Sequence, residues 1–248
     1  QLGPAGSSIA VLGGQDLRDE IYSWPTVNTC RLDQELGEAV WDSGEFFTAE
    51  LVNVYGLDAI EYLLFRNEAD NTCPPQIPIN SEGSWDALGL EGLESRRASY
   101  ARAASTHLLT VAEQLVEAWS PDQGDFSGQL ANAGQDDSIY SDSSQGLNAV
   151  FNALFYLELV VKDRKLARPL GLVDCSTDTC PDAMESAWAD YGLENLRINL
   201  LAGRDLLISE DGGQPFGLNL LAEHLGEQDL ATEMLNSLDA TVAAVDAI

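Results

Sequence analysis

Gly56-Leu57-Asp58-Ala59-Ile60-Glu61-Tyr62-Leu63-Leu64-Phe65 is the most apolar helical stretch in the first half of the chain, yet it carries two carboxylates. At about 100° per residue, Leu57, Ile60, Glu61 and Leu64 fall on one side of a helix, with Asp58 at the edge of that arc. A core-facing stripe normally excludes charge. Asp58 and Glu61 are also i, i+3 neighbours, which repel mildly when both are ionised. Such a pair beside a buried stripe calls for a cation, an arginine or a shared proton.

Outward from this stretch the chain reads as helices and loops. Residues 1–14 form a Gly-rich lead-in, and a short helix is expected near Asp16 to Tyr22. Trp24-Pro25 opens another that ends near Gly37, with Pro25 suited to a first helical turn. Phe46 to Phe65 reads as one helix, or two meeting at Gly56. Pro74, Pro75 and Pro78 enforce loop between Glu68 and Asn80. Glu91 to Trp119 is a long helix, with Leu93, Tyr100, Leu108, Val111, Leu115 and Trp119 near helical spacing and Pro121 as its stop.

Asp122 to Ser144 is polar and rich in Gly, Ser and Asp, so it is the expected boundary between a domain at 1–121 and one at 122–248. Gln145 to Ala167 and Pro181 to Ile208 read as further helices, followed by two closing ones over Phe216 to Leu225 and Gln228 to Ile248. No run sustains β alternation, so the expectation is an all-α fold of two antiparallel helical-bundle domains. Gly146-Leu147-Asn148-Ala149-Val150-Phe151-Asn152-Ala153-Leu154-Phe155 echoes the opening stretch. An echo of this kind is what a duplicated bundle would leave. The second copy has Asn148 for Asp58 and Phe151 for Glu61, so a shared packing role would have lost its charges.

The charge balance excludes several functions. Net charge is −29, and the only lysines are Lys162 and Lys165. Nucleic-acid binding needs clustered Lys and Arg, and anionic membrane surfaces need the same. The acidity itself favours solubility or attraction of cations. Of the four cysteines, Cys175 and Cys180 enclose a four-residue loop, which leaves Cys30 to pair with Cys73. Two disulfides imply an oxidising compartment. The spacing lacks the paired knuckles of a four-thiolate zinc site.

Several segments together resemble the imelysin-like proteins, the M75 peptidase family. These are Leu2-Gly3-Pro4; Ile21-Tyr22-Ser23-Trp24-Pro25 with Leu32-Asp33; Gly56-Leu57-Asp58-Ala59-Ile60-Glu61; Lys165-Leu166-Ala167-Arg168-Pro169-Leu170-Gly171; and Leu193-Glu194-Asn195-Leu196-Arg197-Ile198-Asn199-Leu200. The resemblance spans nearly the whole chain, and the order and spacing of the segments are its specific part. It implies two helical bundles with a site between them, a first family helix missing here, and a bacterial periplasmic or outer-membrane lipoprotein location. It also implies a link to iron uptake, with other envelope iron-uptake proteins as partners. The chain departs from the family's G-x-H-x-x-E signature at Asp58, which replaces the histidine, while Glu61 is retained.

That departure shifts the expected chemistry. Two oxygen ligands one turn apart favour a hard divalent or ferric cation over zinc. No H-E-x-x-H or G-x-S-x-G exists, and His107 and His224 read as structural or surface residues. Two acids at i, i+3 on one helix cannot flank a sugar bond from opposite faces. The expectation is therefore a binding protein for a metal ion or small ligand at the cleft between the two domains, with Asp58 and Glu61 as the binding residues. Trp24, Arg197 and Asn199 are candidates to line the site, and Arg197 is a candidate partner for Glu61. An M75-type peptidase and a structural or interaction module with a degenerate site are the alternatives.

Overall fold

The computed structural model describes residues 17–136, 138–211 and 214–248. Leu2-Gly3-Pro4 and the rest of the Gly-rich lead-in lie outside the described residues. The chain divides into two compact units, Gln1–Val150 and Phe151–Ile248.

In the first unit, α1 (Leu17–Ile21), α2 (Thr29–Glu38) and α4 (Leu57–Phe65) pack on the long α6 (Gly89–Trp119). Short α3 (Phe46–Ala49) and a 3₁₀ turn at Val52–Val54 lead into α4. The break before α4 falls at Gly56, whose φ of 90° suits a residue without a side chain. A Cβ there would stand 2.9 Å from the Glu20 carbonyl oxygen, so the end of α1 abuts the start of α4. The proline-rich loop ends in α5 (Pro78–Ser81) and is tied down by side chains. Trp85 Nε1 donates to Ala69 O at 2.9 Å, and Arg97 donates to Arg66 O and Glu68 O at 2.8 and 2.9 Å. The core joins Leu32, Leu36, Val54, Ala59, Leu63, Leu93 and Val111 to a ring cluster in which Trp41 stacks on Tyr100 at 5.0 Å.

Three expectations for this unit change. The helix expected to open at Trp24-Pro25 begins at Thr29, because the Asn28 side chain caps it by accepting from Arg31 N–H at 3.0 Å. The expected stripe on α4 is rotated: Leu57 and Leu64 are 48% and 55% exposed, while Asp58, Ala59, Tyr62 and Leu63 are buried. The polar 122–144 stretch belongs to the first unit instead of dividing the chain at 121/122. Its short α7 (Phe126–Ala131), capped by Asp125, places Phe126 edge-on to Trp119 at 4.9 Å and near Tyr140 at 6.3 Å.

α8 (Ser143–Tyr156) crosses the division at Val150 and passes into a π-helix, Leu157–Ala167. In the second unit the π-helix, α9 (Gly192–Leu207) and α11 (Gln228–Val245) enclose Val161, Leu196 and Leu200. α10 (Leu218–His224) packs on α11. The helix expected over 181–208 is interrupted. Only a 3₁₀ turn at Pro181–Ala183 precedes a loop, because Ser186 and Asp190 adopt positive φ and Glu185 turns back toward Lys165. A three-residue antiparallel hairpin, β1 (Ser209–Asp211) with β2 (Gln214–Phe216), follows α9. The fold class is all-α, a helical bundle in which this hairpin is a local turn.

Candidate functional site

Two hydrogen-bonded anchors on one face of α4 set its rotation. Asp58, in the first turn, is 3% exposed. Its Oδ2 accepts the Trp24 backbone N–H at 2.7 Å and stands 3.3 Å from Ser23 Oγ. Tyr62, one turn later, donates its hydroxyl to Asp33, 2.8 Å from Oδ1 and 2.9 Å from Oδ2. A buried carboxylate needs partners more than a leucine needs burial. The helix therefore turns its acid inward and leaves Leu57, Leu64 and Phe65 exposed.

Burial pushes the Asp58 carboxyl up to about 6. The Trp24 amide opposes that rise, the Glu61 charge adds to it, and Ser23 opposes it more weakly. Asp58 is thus a carboxyl whose charge changes in the mildly acidic range. Glu61 is half-buried on the neighbouring flank of α4 and is close enough for its charge to act on Asp58.

Of the other expected site residues, Trp24 belongs to the first unit and Arg197 and Asn199 to the second. Trp24 serves Asp58 through its backbone amide, and its half-buried ring is tilted 6.4 Å from Tyr22. Arg197 is engaged within the second unit, with Nε 2.6 Å from Asp246 Oδ1 and NH1 3.7 Å from Glu194 Oε1. Asn199 is also in the second unit, where its Oδ1 stands 3.4 Å from Lys165 Nζ. His224 is exposed at the end of α10. His107 stacks on Phe47 at 4.5 Å and stands edge-on to Tyr55 at 5.1 Å. Its Nε2 is 3.8 Å from Glu20 Oε2, and burial pushes its pKa down. Both predicted disulfides, Cys30–Cys73 and Cys175–Cys180, are formed and no cysteine is free.

The chain matches the family model described as Imelysin, Peptidase_M75, over residues 8–248. It belongs to the imelysin family. No curated protein and no solved structure matches. Within this imelysin chain the G-x-D-x-x-E helix joins a buried, hydrogen-bonded Asp58 to a half-buried Glu61.

Asp58 and Glu61 are two carboxylates without a third His, Cys, Asp or Glu grouped with them among the described residues. Among the described residues, no group of three or more His, Cys, Asp or Glu stands where it could hold a metal ion. One Asp58 oxygen is already engaged by Trp24 and Ser23. Asp58 and Glu61 alone do not fill a coordination sphere, so a cation at this helix would take further oxygens from water or from other groups.

Sequence reading missed a second polar centre. Lys165 Nζ lies 2.7 Å from Glu185 Oε1, and both side chains are shielded from solvent. Burial pushes the Glu185 carboxyl up to about 7. The available signal was one of only two lysines falling inside an apolar helix, opposite a family-like segment that contains Asn199.

Proposed function

We propose that this imelysin chain is a binding protein of the bacterial cell envelope, and that its Asp58/Glu61 helix holds a hydrated metal cation or a small cationic ligand. In this reading it is periplasmic or lipid-anchored, works beside iron-uptake proteins, and cleaves no peptide. The observation that carries the reading is Asp58 itself. A carboxyl stands where the family signature has histidine, beside Glu61, and its burial gives it a charge that responds to pH. A clustered negative charge attracts cations, and the net charge of −29 adds to that field. The two disulfides fit an extracytoplasmic setting. No described helix is long and apolar enough to cross a membrane.

The peptidase reading has less support at this helix. The cysteines are consumed in disulfides, and His107 is packed between Phe47 and Tyr55. One observation favours a second reading, an interaction module with a degenerate site. The Asp58 carboxylate already has a structural task in holding Ser23 and Trp24.

Calorimetric titration with Ca²⁺, Mn²⁺ and Fe³⁺, on the wild type and on Asp58→Ala/Glu61→Ala, separates these readings. Saturable binding that the double variant loses supports the proposal. Silence in the wild type leaves the interaction module. Cleavage of an unfolded protein substrate that vanishes in the double variant establishes the peptidase instead.

A further inference from the structure

Asp33 of α2 is fully buried, and its carboxylate is a junction. Besides the Tyr62 hydroxyl, its Oδ2 accepts the Thr72 backbone N–H at 2.7 Å and the Thr72 hydroxyl at 2.9 Å. Arg66 is its nearest cation, 3.8 Å away. Thr72 immediately precedes Cys73, and the disulfide partner Cys30 lies one turn before Asp33 on α2. Two links in parallel therefore fasten the proline-rich loop to α2, one covalent and one through Thr72 and Asp33. The second link continues to Tyr62, the residue after Glu61, on the same buried face of α4 as Asp58.

We propose that the Cys30–Cys73 disulfide is a redox control on the motif helix, acting through Thr72, Asp33 and Tyr62, with Asp33 and Tyr62 as positioning residues for Glu61. The consequence for ligand rests on the cation-binding reading; the mechanical link does not. Both cysteines are half-buried and border solvent. A dithiol reductant, attacking as its thiolate, forms a mixed disulfide with one sulfur and then closes to its own disulfide. Two electrons pass to the protein, the Cys30–Cys73 bond breaks, and both sulfurs end as thiols after taking up two protons.

With the covalent link open, the Thr72–Asp33 hydrogen bonds hold the loop to α2 without the disulfide beside them. Asp33 then keeps its Thr72 donors only for part of the time. A buried carboxylate short of donors is costly, so Asp33 and the Tyr62 hydroxyl shift together. The Asp58 anchor at the other end of α4 has no part in this route. Reduction is therefore expected to loosen the Tyr62 end of α4 and, in the ligand reading, to weaken cation binding.

Hydrogen–deuterium exchange of the α4 amides, 57–65, tests the link without any ligand. The background is Cys175→Ala/Cys180→Ala, so that dithiothreitol opens only Cys30–Cys73. Reduction should speed α4 exchange roughly tenfold, about the effect of losing one buried hydrogen bond, and leave α11 unchanged. Tyr62→Phe should give the same acceleration in the oxidised protein, and reduction should add little to it. Unchanged α4 exchange on reduction overturns the proposal, as do effects of reduction and Tyr62→Phe that multiply independently. If reduction unfolds the whole first unit, Thr72→Val with the disulfide intact decides. Faster α4 exchange supports the link, and unchanged exchange overturns it. Absence of Mn²⁺ binding in the oxidised protein would count against the cation reading alone.

Discussion

Asp58 Oδ2 accepts the Trp24 backbone N–H at 2.7 Å, which fastens the segment after α1 to the first turn of α4. The side chain that replaces the family's histidine is thus a strut as well as a candidate ligand. Asp58→Ala removes the acceptor and leaves the Trp24 amide and the Ser23 hydroxyl without this partner. A loss of roughly 2–3 kcal/mol is expected, whereas Asp58→Asn, which keeps an acceptor oxygen, should lose less than half of that. Urea unfolding of the two variants measures the difference. Equal losses would mean that the hydrogen bonds contribute little.

Stability should rise in mild acid. Burial holds Asp58 at about 6 and Glu35, a buried residue of α2, at about 7, both above the ordinary carboxyl range. The folded chain therefore holds these protons more tightly than the unfolded chain does. Their contribution is most favourable below the unfolded values near 4, and is lost as pH rises through 6 to 7. The unfolding midpoint should be higher at pH 5.5 than at pH 7.5. Asp58→Asn should reduce that difference by roughly 1 kcal/mol, and an unaltered pH dependence in this variant would contradict the assignment.

The two disulfides should contribute unequally. Cys30–Cys73 closes a sequence separation of 43 and Cys175–Cys180 one of only 5. Chain entropy alone makes removal of the longer closure about 2 kcal/mol more costly. Paired Cys→Ala variants at each bridge, compared by denaturant unfolding, check the order. Without reductant, thiol labelling of the folded protein should find no free cysteine.

Lys165 and Glu185 should behave as a unit. Lys165→Met leaves a buried carboxylate without its counter-charge, at a cost of roughly 3 kcal/mol. Lys165→Met combined with Glu185→Leu should recover most of it. Additive losses in this cycle would show that the pair is uncoupled.

The parts of the fold that sequence revealed are those governed by apolar spacing and breakers. The long α6 ends where Pro121 stops it, and both disulfides follow from spacing. What stayed hidden depends on partners distant in sequence. The rotation of α4 is set by Asp58 and Tyr62 meeting Trp24 and Asp33, and residue type alone ranked Leu57 and Leu64 above them. Arg97 lies in the buried face of α6 because the backbone carbonyls of Arg66, at the end of α4, and Glu68 receive it. Positive φ at Ser186 and Asp190 broke a helix that composition favoured, with no glycine at either position to signal it. At the motif, sequence singled out Asp58 and Glu61 as candidates but not the Trp24 amide, since a backbone donor leaves no mark in residue type.

Electron paramagnetic resonance of Mn²⁺ tests the proposed role of the motif most directly, because only free Mn²⁺ gives the sharp six-line signal. Titrating Mn²⁺ into the oxidised protein at pH 7.5 should deplete that signal with one saturable site. Asp58→Asn should weaken the site about tenfold or more, and Glu61→Gln should do the same while leaving the fold intact. Depletion that is absent, or that persists undiminished in both variants, would contradict a cation site at this helix.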